Sequence, residues 1–377
     1  MAFIALSLAG VMAQAQTAVK VAVYASVGPE LIHYQVDVDS ASLMKRESVT
    51  LPDSVQYAWP HPSKRYIYVA WSNGSGADHH GVTAFRIDPA SGSLSPHGNP
   101  ISLPARPVHI TTDIPGTHLL VAYNDPSGLT VYGLASDGTI LSPVKQPAAL
   151  DFGIYGHQVR VDPSDKMVIL VTRGNGPAKG KPEDPGALKI FDYKNGILTN
   201  RASIAPNRGF GFQPRHLDFE GPWVFVSLER QNKLQVYKKL PDGSLSAAPL
   251  FTKDSLTEPG KERSGQAAGT VHVHPNGKLV YQANRASGGG ENAIAVYAIN
   301  QKTGEPTLIQ NADTHGTEPR TFALDPSGRI LVAANQNSAS LAVFRVGADG
   351  KLDFVRKYDV QTDRGRNLFW MGVVSLN

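Results

Sequence analysis

Asp325-Pro326-Ser327-Gly328 is followed by the apolar run Ile330-Leu331-Val332-Ala333-Ala334 and the polar turn Asn335-Gln336-Asn337-Ser338; Leu341-Ala342-Val343-Phe344, the turn Gly347-Ala348-Asp349-Gly350 and Leu352 come next. Pro pre-sets one turn dihedral, Asp and Asn bond back to their own backbone, and Gly accepts the left-handed conformation that closes a turn. The apolar runs are short and carry period-2 patterning without a helical stripe, so the segment reads as three strands joined by two hairpin-type turns.

The unit recurs along the chain. Its turn returns as His61-Pro62-Ser63, Ile114-Pro115-Gly116, Asp162-Pro163-Ser164 and His274-Pro275-Asn276-Gly277, with a degenerate copy at Phe219-Glu220-Gly221. An apolar strand follows each, at 66–70, 119–122, 168–171, 280–283 and 223–227, and second strands end in pairs such as Val131-Tyr132, Ile190-Phe191, Val236-Tyr237 and Val296-Tyr297. The anchor prolines lie 53 residues apart (62 to 115), then 48 (115 to 163), then 51 (275 to 326); the 112 between 163 and 275 holds two units. Propeller blades of four strands repeat at about 40–50 residues.

Six units therefore fill residues 55–351, and the remainders, 19–43 and 366–376, are each too short for a blade. Joined, they supply a seventh, and pairing the two ends hides the strand edges an open array would expose. The expected fold is all-β, a seven-bladed β-propeller in one domain over 19–377, closed by its terminal strands. An open β-solenoid or two β-sandwiches are the alternatives, and sandwiches do not repeat this regularly. The irregular stretches 174–185 and 252–269 read as loops over one face of the ring.

Composition removes several chemistries. The 377 residues include no cysteine, so disulfides, thiolate catalysis, Cys-ligated zinc and iron–sulfur clusters are excluded. With 36 Gly, 27 Pro and 18% charged residues, the chain favours tight turns over long salt-bridged helices. A net charge of +4 suits capture of a small anion and is too diffuse for nucleic acid. Residues 2–12 are apolar and Ala13-Gln14-Ala15 is a small-x-small cleavage pattern, so residues 1–15 are expected to be a signal peptide cut after Ala15, although no Lys or Arg precedes Lys20. The run is too short to span a bilayer, and no other stretch is apolar enough to do so. The mature protein is expected in the periplasm or secreted, or in the cytoplasm if this segment is not a signal.

In a propeller the first strand of each blade runs along the channel, so residues at its start converge on one small space. Upstream of the turn motifs lie Tyr155-Gly156-His157, Gln213-Pro214-Arg215-His216, Gly269-Thr270-Val271-His272 and Glu318-Pro319-Arg320. A second polar set follows the next strand: Arg173, Glu229-Arg230, Asn284-Arg285 and Asn335-Gln336. Taken singly, a Glu beside an Arg reads as an ion pair, a lone His as a hydrogen-bonding packer, and Arg215 and Arg320, both after Pro, as blade pins. Convergence on one face favours a site. Asp78-His79-His80 resembles a metal corner but has no further ligand at suitable spacing and reads as solvated loop. Gly288-Gly289-Gly290 precedes no helix and is not a phosphate loop.

These motifs resemble the seven-bladed propeller lactonases, the family of bacterial 6-phosphogluconolactonase and the fungal carboxymuconate cycloisomerases. The resemblance is carried by Gln213-Pro214-Arg215-His216 with Ser227-Leu228-Glu229-Arg230, by His272-Val273-His274-Pro275-Asn276-Gly277 with Asn284-Arg285, and by Glu318-Pro319-Arg320 with Asp325-Pro326-Ser327-Gly328. It runs from about residue 19 to the C-terminus. The family's His, Arg, Glu and Arg site residues map by motif onto His157, Arg215, Glu229 and Arg285, with His272, Arg320, Arg173 and Asn335 as further substrate-binding candidates. The chain departs from the family at Phe219-Glu220-Gly221, where an H-P-x-G turn is usual, and its apparent export signal does not suit a cytoplasmic sugar-phosphate pathway.

The resemblance implies a hydrolase that opens a small anionic lactone without metal or cofactor, 6-phosphogluconolactone being the family-derived substrate. Glu229 or His157 would serve as base and acid, and Arg215 and Arg285 would hold a carboxylate, a phosphate or the developing oxyanion. The same set suits a cycloisomerase of a carboxylated diene, and an exported propeller also suits a non-catalytic binding or scaffold role. The partner expected is a small anionic lactone or carboxylate, with no nucleic acid, no membrane insertion after signal removal, and a monomeric ring. Glu229→Gln and Arg285→Ala are expected to abolish hydrolysis while leaving thermal stability largely intact.

Overall fold

A computed structural model describes residues 20–261, 265–361 and 367–376; the signal-peptide expectation for residues 1–15 lies outside them. Among the described residues the strands form seven four-stranded antiparallel sheets. Six are consecutive, spanning 55–102, 107–143, 156–204, 214–254, 266–313 and 319–359, and are numbered blades 2 to 7. Blade 1 combines Lys20–Val27, Glu30–Asp37 and Ser42–Thr50 with the C-terminal strand Leu368–Leu376, which pairs along Lys20–Val27 from Lys20↔Leu376 to Val27↔Leu368. The ring is closed by its two ends.

Burial grades outward across each blade. Second strands such as Met167–Thr172, Trp223–Leu228 and Ile330–Asn335 are buried at every position, because neighbouring blades cover both faces. Hence their unbroken Val, Ile, Leu and Ala runs. Outer strands such as Leu352–Asp359 are mostly exposed. The core sits between blades: Ile169 and Val171 of blade 4 pack with Val224 and Val226 of blade 5.

The repeated turn is also a staple between blades. His274 accepts at Nδ1 from the Asn276 N–H at 3.0 Å and donates from Nε2 to the Gly328 carbonyl of the next blade at 2.9 Å. His61 does the same with Ser63 and Gly116. Gly328 has φ +72°, and a Cβ there would lie 2.3 Å from the His274 ring. Where Asp replaces His, as at Asp325, the carboxylate caps the turn through the Ser327 and Ile330 N–H groups. Tyr24, Tyr68 and Tyr281 add a second staple, each donating its hydroxyl to the carbonyl of a hairpin glycine of the next blade (Gly92, Gly138, Gly350).

Two expectations are corrected. Residues 252–269 are not a continuous loop: Phe251–Asp254 is the outer strand of blade 5, and Gln266–Val273 begins blade 6. His80 is not solvated. It is buried, with Nδ1 2.8 Å from Ser72 Oγ and Nε2 2.8 Å from the Ala77 carbonyl, while His79 is exposed beside Asp53. Among the described residues no helix is long and apolar enough to cross a membrane, and no three His, Asp or Glu side chains group as metal ligands.

Candidate active site

Each innermost strand enters the channel through a β-bulge. The pairing register slips at Val55/Tyr57, Pro107/His109, Gly156/Gln158, Pro214/His216 and Pro319/Thr321, leaving Gln56, Val108, His157, Arg215 and Arg320 as the extra residues. The C-terminal strand skips Phe369, and blade 6 gains one residue between Ala268 and Val271, where Gly269 and Thr270 stand opposite Ala283. A bulge re-aims one side chain out of the pleat, and here the ring repeats that act at one mouth. In blades 4, 5 and 7 the residue two positions earlier is left-handed without being glycine: Tyr155 at φ +60°, Gln213 at +42° and Glu318 at +61°. Such conformations cost free energy and gather where the surroundings enforce them.

The enforcing contact also explains why the two polar sets of the sequence meet. The carbonyl of each left-handed residue accepts from the N–H of the residue that follows the second strand: Tyr155 from Arg173 at 2.9 Å, Gln213 from Glu229 at 3.0 Å, Glu318 from Gln336 at 2.8 Å. Arg173 and Glu229 are thus carried to the same mouth as His157 and Arg215.

Glu229 is the hub. Its Oε2 accepts from Arg173 Nη1 at 2.9 Å, and its Oε1 bonds Arg285 Nη2 and lies 3.2 Å from Arg215 Nε. Arg285 Nη1 continues to Glu318 Oε1 at 2.9 Å. Burial pushes the Glu229 carboxyl up, but Arg215, Arg285 and Arg173 outweigh it and hold the group at about 2. Glu229 is therefore a carboxylate that binds protons weakly. Arg215 is buried, its Nη1 has no partner among the described residues, and burial with the neighbouring arginines lowers its pKa well below the usual value. Arg320 is held at about 10 by burial and repulsion from Arg285, still charged at neutral pH, and its guanidinium lies 4.0 Å from the Phe369 ring centre. Four guanidinium groups (Arg173, Arg215, Arg285, Arg320) face two carboxylates (Glu229, Glu318), a surplus of two positive charges among these six.

His157 stands against this cluster, its Nδ1 without a hydrogen-bond partner among the described residues. Enclosure, then the charges of Arg215, Arg173, Arg320 and Arg285, hold its pKa well below 6.5, so it is neutral and a proton acceptor. Behind it the channel is plugged. The His157 ring centre lies 5.2 Å from His216, His216 lies 6.1 Å from His109, and His109 stacks on Tyr57 at 4.1 Å. The remaining void among Arg215, His157 and Trp370 is only 10 Å³, room for about one water. Substrate must therefore sit at the mouth.

The structure brings His157, Arg215, Glu229, Arg285, Arg320 and Arg173 together. It places two other candidates elsewhere. His272 lies further along the channel, with Nδ1 3.7 Å from Asp218 Oδ2, because it stands three residues past Gly269, the blade-6 position that matches His157 and Arg320, and pairs with Tyr281 in regular register. Asn335 is fully buried and donates to the Thr314 carbonyl at 3.0 Å, so it holds a turn and does not meet substrate. Glu318 and Phe369 join the site although neither is a candidate by sequence. Glu318 had a signal, its place before Pro319-Arg320; Phe369 had none, since the closing strand carries no turn motif.

With this geometry in place, the chain can be set beside known proteins. Residues 19–366 match the family model described as lactonase, 7-bladed beta-propeller. The 6-phosphogluconolactonase of Serratia proteamaculans (strain 568) is 25% identical over 356 residues, covering 93% of this chain and 98% of that protein. The 6-phosphogluconolactonase of Bacillus subtilis (strain 168) is 27% identical over 346 residues, covering 86% and 89%. The periplasmic gluconolactonase of Pseudomonas aeruginosa superposes with a TM-score of 0.75 at 20% identity, over 95% of this chain and 100% of that one, a likeness of fold.

Proposed function

The chain belongs to the seven-bladed β-propeller lactonase family, and on that premise we propose that it hydrolyses a small anionic lactone of the 6-phosphogluconolactone type at the channel mouth. The observation that carries the reading is the surplus of two guanidinium charges around Glu229, with the buried Arg215 Nη1 left unpartnered among the described residues. An anionic substrate restores the balance, and planar guanidinium forks suit phosphate and carboxylate alike.

In this reading water attacks the lactone carbonyl carbon while the neutral His157 accepts its proton. The oxyanion forms against the Arg215 and Arg285 charges. When the tetrahedral intermediate collapses, the ring C–O bond breaks and His157 returns the proton to the departing alkoxide oxygen. Substrate charge assists, because an anion beside the arginines offsets the field that holds His157 low. Glu229 spaces and orients the three guanidinium groups and is not the proton carrier. Export is proposed on the apolar run at 2–12 with Ala13-Gln14-Ala15.

The test is turnover of 6-phosphoglucono-δ-lactone beside glucono-δ-lactone in ¹⁸O-labelled water. Hydrolysis with one labelled oxygen in the product, and kcat/KM at least about tenfold higher for the phosphorylated lactone, is expected. Equal rates would remove the anionic substrate class. Product without label would favour cycloisomerase chemistry, and no turnover of either lactone would favour a binding role.

A further inference from the structure

The channel has a second mouth, and its chemistry is unlike the first. Where the innermost strands leave the ring, a cavity of 270 Å³ opens among Tyr57, Trp59, His272, Phe322, Trp370 and Val373. Trp59, Val273 and Leu324 at its rim are part-exposed, so it communicates with solvent. It shares the Tyr57, Thr321 and Trp370 walls with the void below the arginine cluster, and these side chains separate the two ends.

Among the described residues no Lys or Arg lines this cavity. Arg160, which rests its charge 5.2 Å from the Trp59 ring centre, is occupied: Nη2 donates to Asp218 Oδ1 at 2.9 Å. A phosphate or carboxylate would find no cation in these walls to replace its water. The walls are mostly aromatic and apolar; of the polar side chains among them, Thr270, Thr321 and Asp325 are bonded within the fold, which leaves His272 as the directed polar group. His272 turns Nδ1 toward Asp218 Oδ2 at 3.7 Å and packs edge-on against Phe322. The negative charge of Asp218 favours the ring proton on the nearer nitrogen, which leaves the other as an acceptor. Nε2, on the far side of the ring, is the atom left for the cavity.

A pocket of aromatic walls with one hydrogen-bond acceptor selects a flat ring bearing one donor. An apolar cavity of about 150 Å³ already admits benzene, and 270 Å³ holds a substituted ring. We propose that this far mouth is a second ligand site, taking a small uncharged phenol whose ring packs against Trp59 and Tyr57 and whose hydroxyl donates to His272 Nε2.

The test is calorimetric titration of the intact protein with p-cresol and with toluene, the same ring without the hydroxyl. One saturable p-cresol site is expected, with toluene at least about tenfold weaker. His272→Phe should bring the two affinities within about twofold of each other, and Trp59→Ala should weaken p-cresol at least about tenfold. Arg173→Ala, at the opposite mouth, should leave p-cresol affinity within about twofold. Absence of saturable binding, a cresol-to-toluene ratio unchanged in His272→Phe, or loss of binding in Arg173→Ala with retention in Trp59→Ala would overturn the proposal.

Discussion

Arg215 Nε lies 3.2 Å from Glu229 Oε1 in surroundings that leave the arginine 2% exposed. Neither residue is stable there alone. Glu229 holds three guanidinium groups at one mouth, and the arginines keep a buried carboxyl ionised.

Glu229→Gln is therefore expected to cost stability as well as activity, in place of the intact stability expected from the sequence. Removing one partner of a buried charge cluster costs about 3–5 kcal/mol, and about 3 is expected here because Arg173 and Arg285 keep some solvent contact. Urea unfolding of wild type and variant checks it. A change below about 1 kcal/mol would mean the arginines do not depend on Glu229.

Acid should weaken the fold in two stages. His109, His157 and His216 are held well below 6.5 by burial first and by neighbouring cations. The unfolded chain binds protons there that the folded chain refuses, so their contribution is complete above about pH 6.5 and is lost as pH falls below it. Glu229, at about 2 against an ordinary 4.5, adds a second loss between about pH 5 and 2, worth about 3 kcal/mol. Urea unfolding from pH 8 to 4 should show the first stage, and His216→Phe should flatten it.

His157→Gln keeps size and polarity but removes the proton acceptor. A fall in kcat of about 10²–10⁴ is expected with little change in KM. Steady-state kinetics decide, and a variant with kcat within about threefold of wild type would move the proton transfer elsewhere.

Phe369→Ala removes the ring on which Arg320 rests. A cation–π contact is worth about 0.5–2 kcal/mol, so KM for an anionic lactone should rise about 2- to 30-fold with kcat less affected. A neutral lactone measured in parallel should show a smaller change.

Gly328→Ala places a Cβ against the His274 ring at a φ of +72°. A loss of at least about 2 kcal/mol is expected, from the strained backbone and the broken staple together. Thermal melting checks it, with His274→Ala as the partner variant that relieves the clash.

The ring was legible in the chain because its evidence is local. Asp325-Pro326-Ser327-Gly328 and His274-Pro275-Asn276-Gly277 specify turns through neighbouring atoms, and their even spacing implies repetition and the pairing of two leftover ends. Which polar residues form the site was only half legible. His157, Arg215 and Arg320 sit in repeated positions, so their convergence follows from the repeat. His272 is not their equivalent: it lies three residues before Pro275, where His157 and Arg320 lie six before Pro163 and Pro326, so Gly269 takes the matching place and the spacing alone sets His272 deeper in the channel. Residue order does not report the bulges that turn His157, Arg215 and Arg320 into the channel. Nor does it report that Glu229 is clamped by three arginines, since charge and burial depend on which blades stand side by side. The repeat, the turns and the closed ring are properties of residue order alone. Which charges meet, and at which mouth, belongs to the folded ring, because pKa and partner choice are set across space by desolvation and Coulomb forces between residues far apart in the chain.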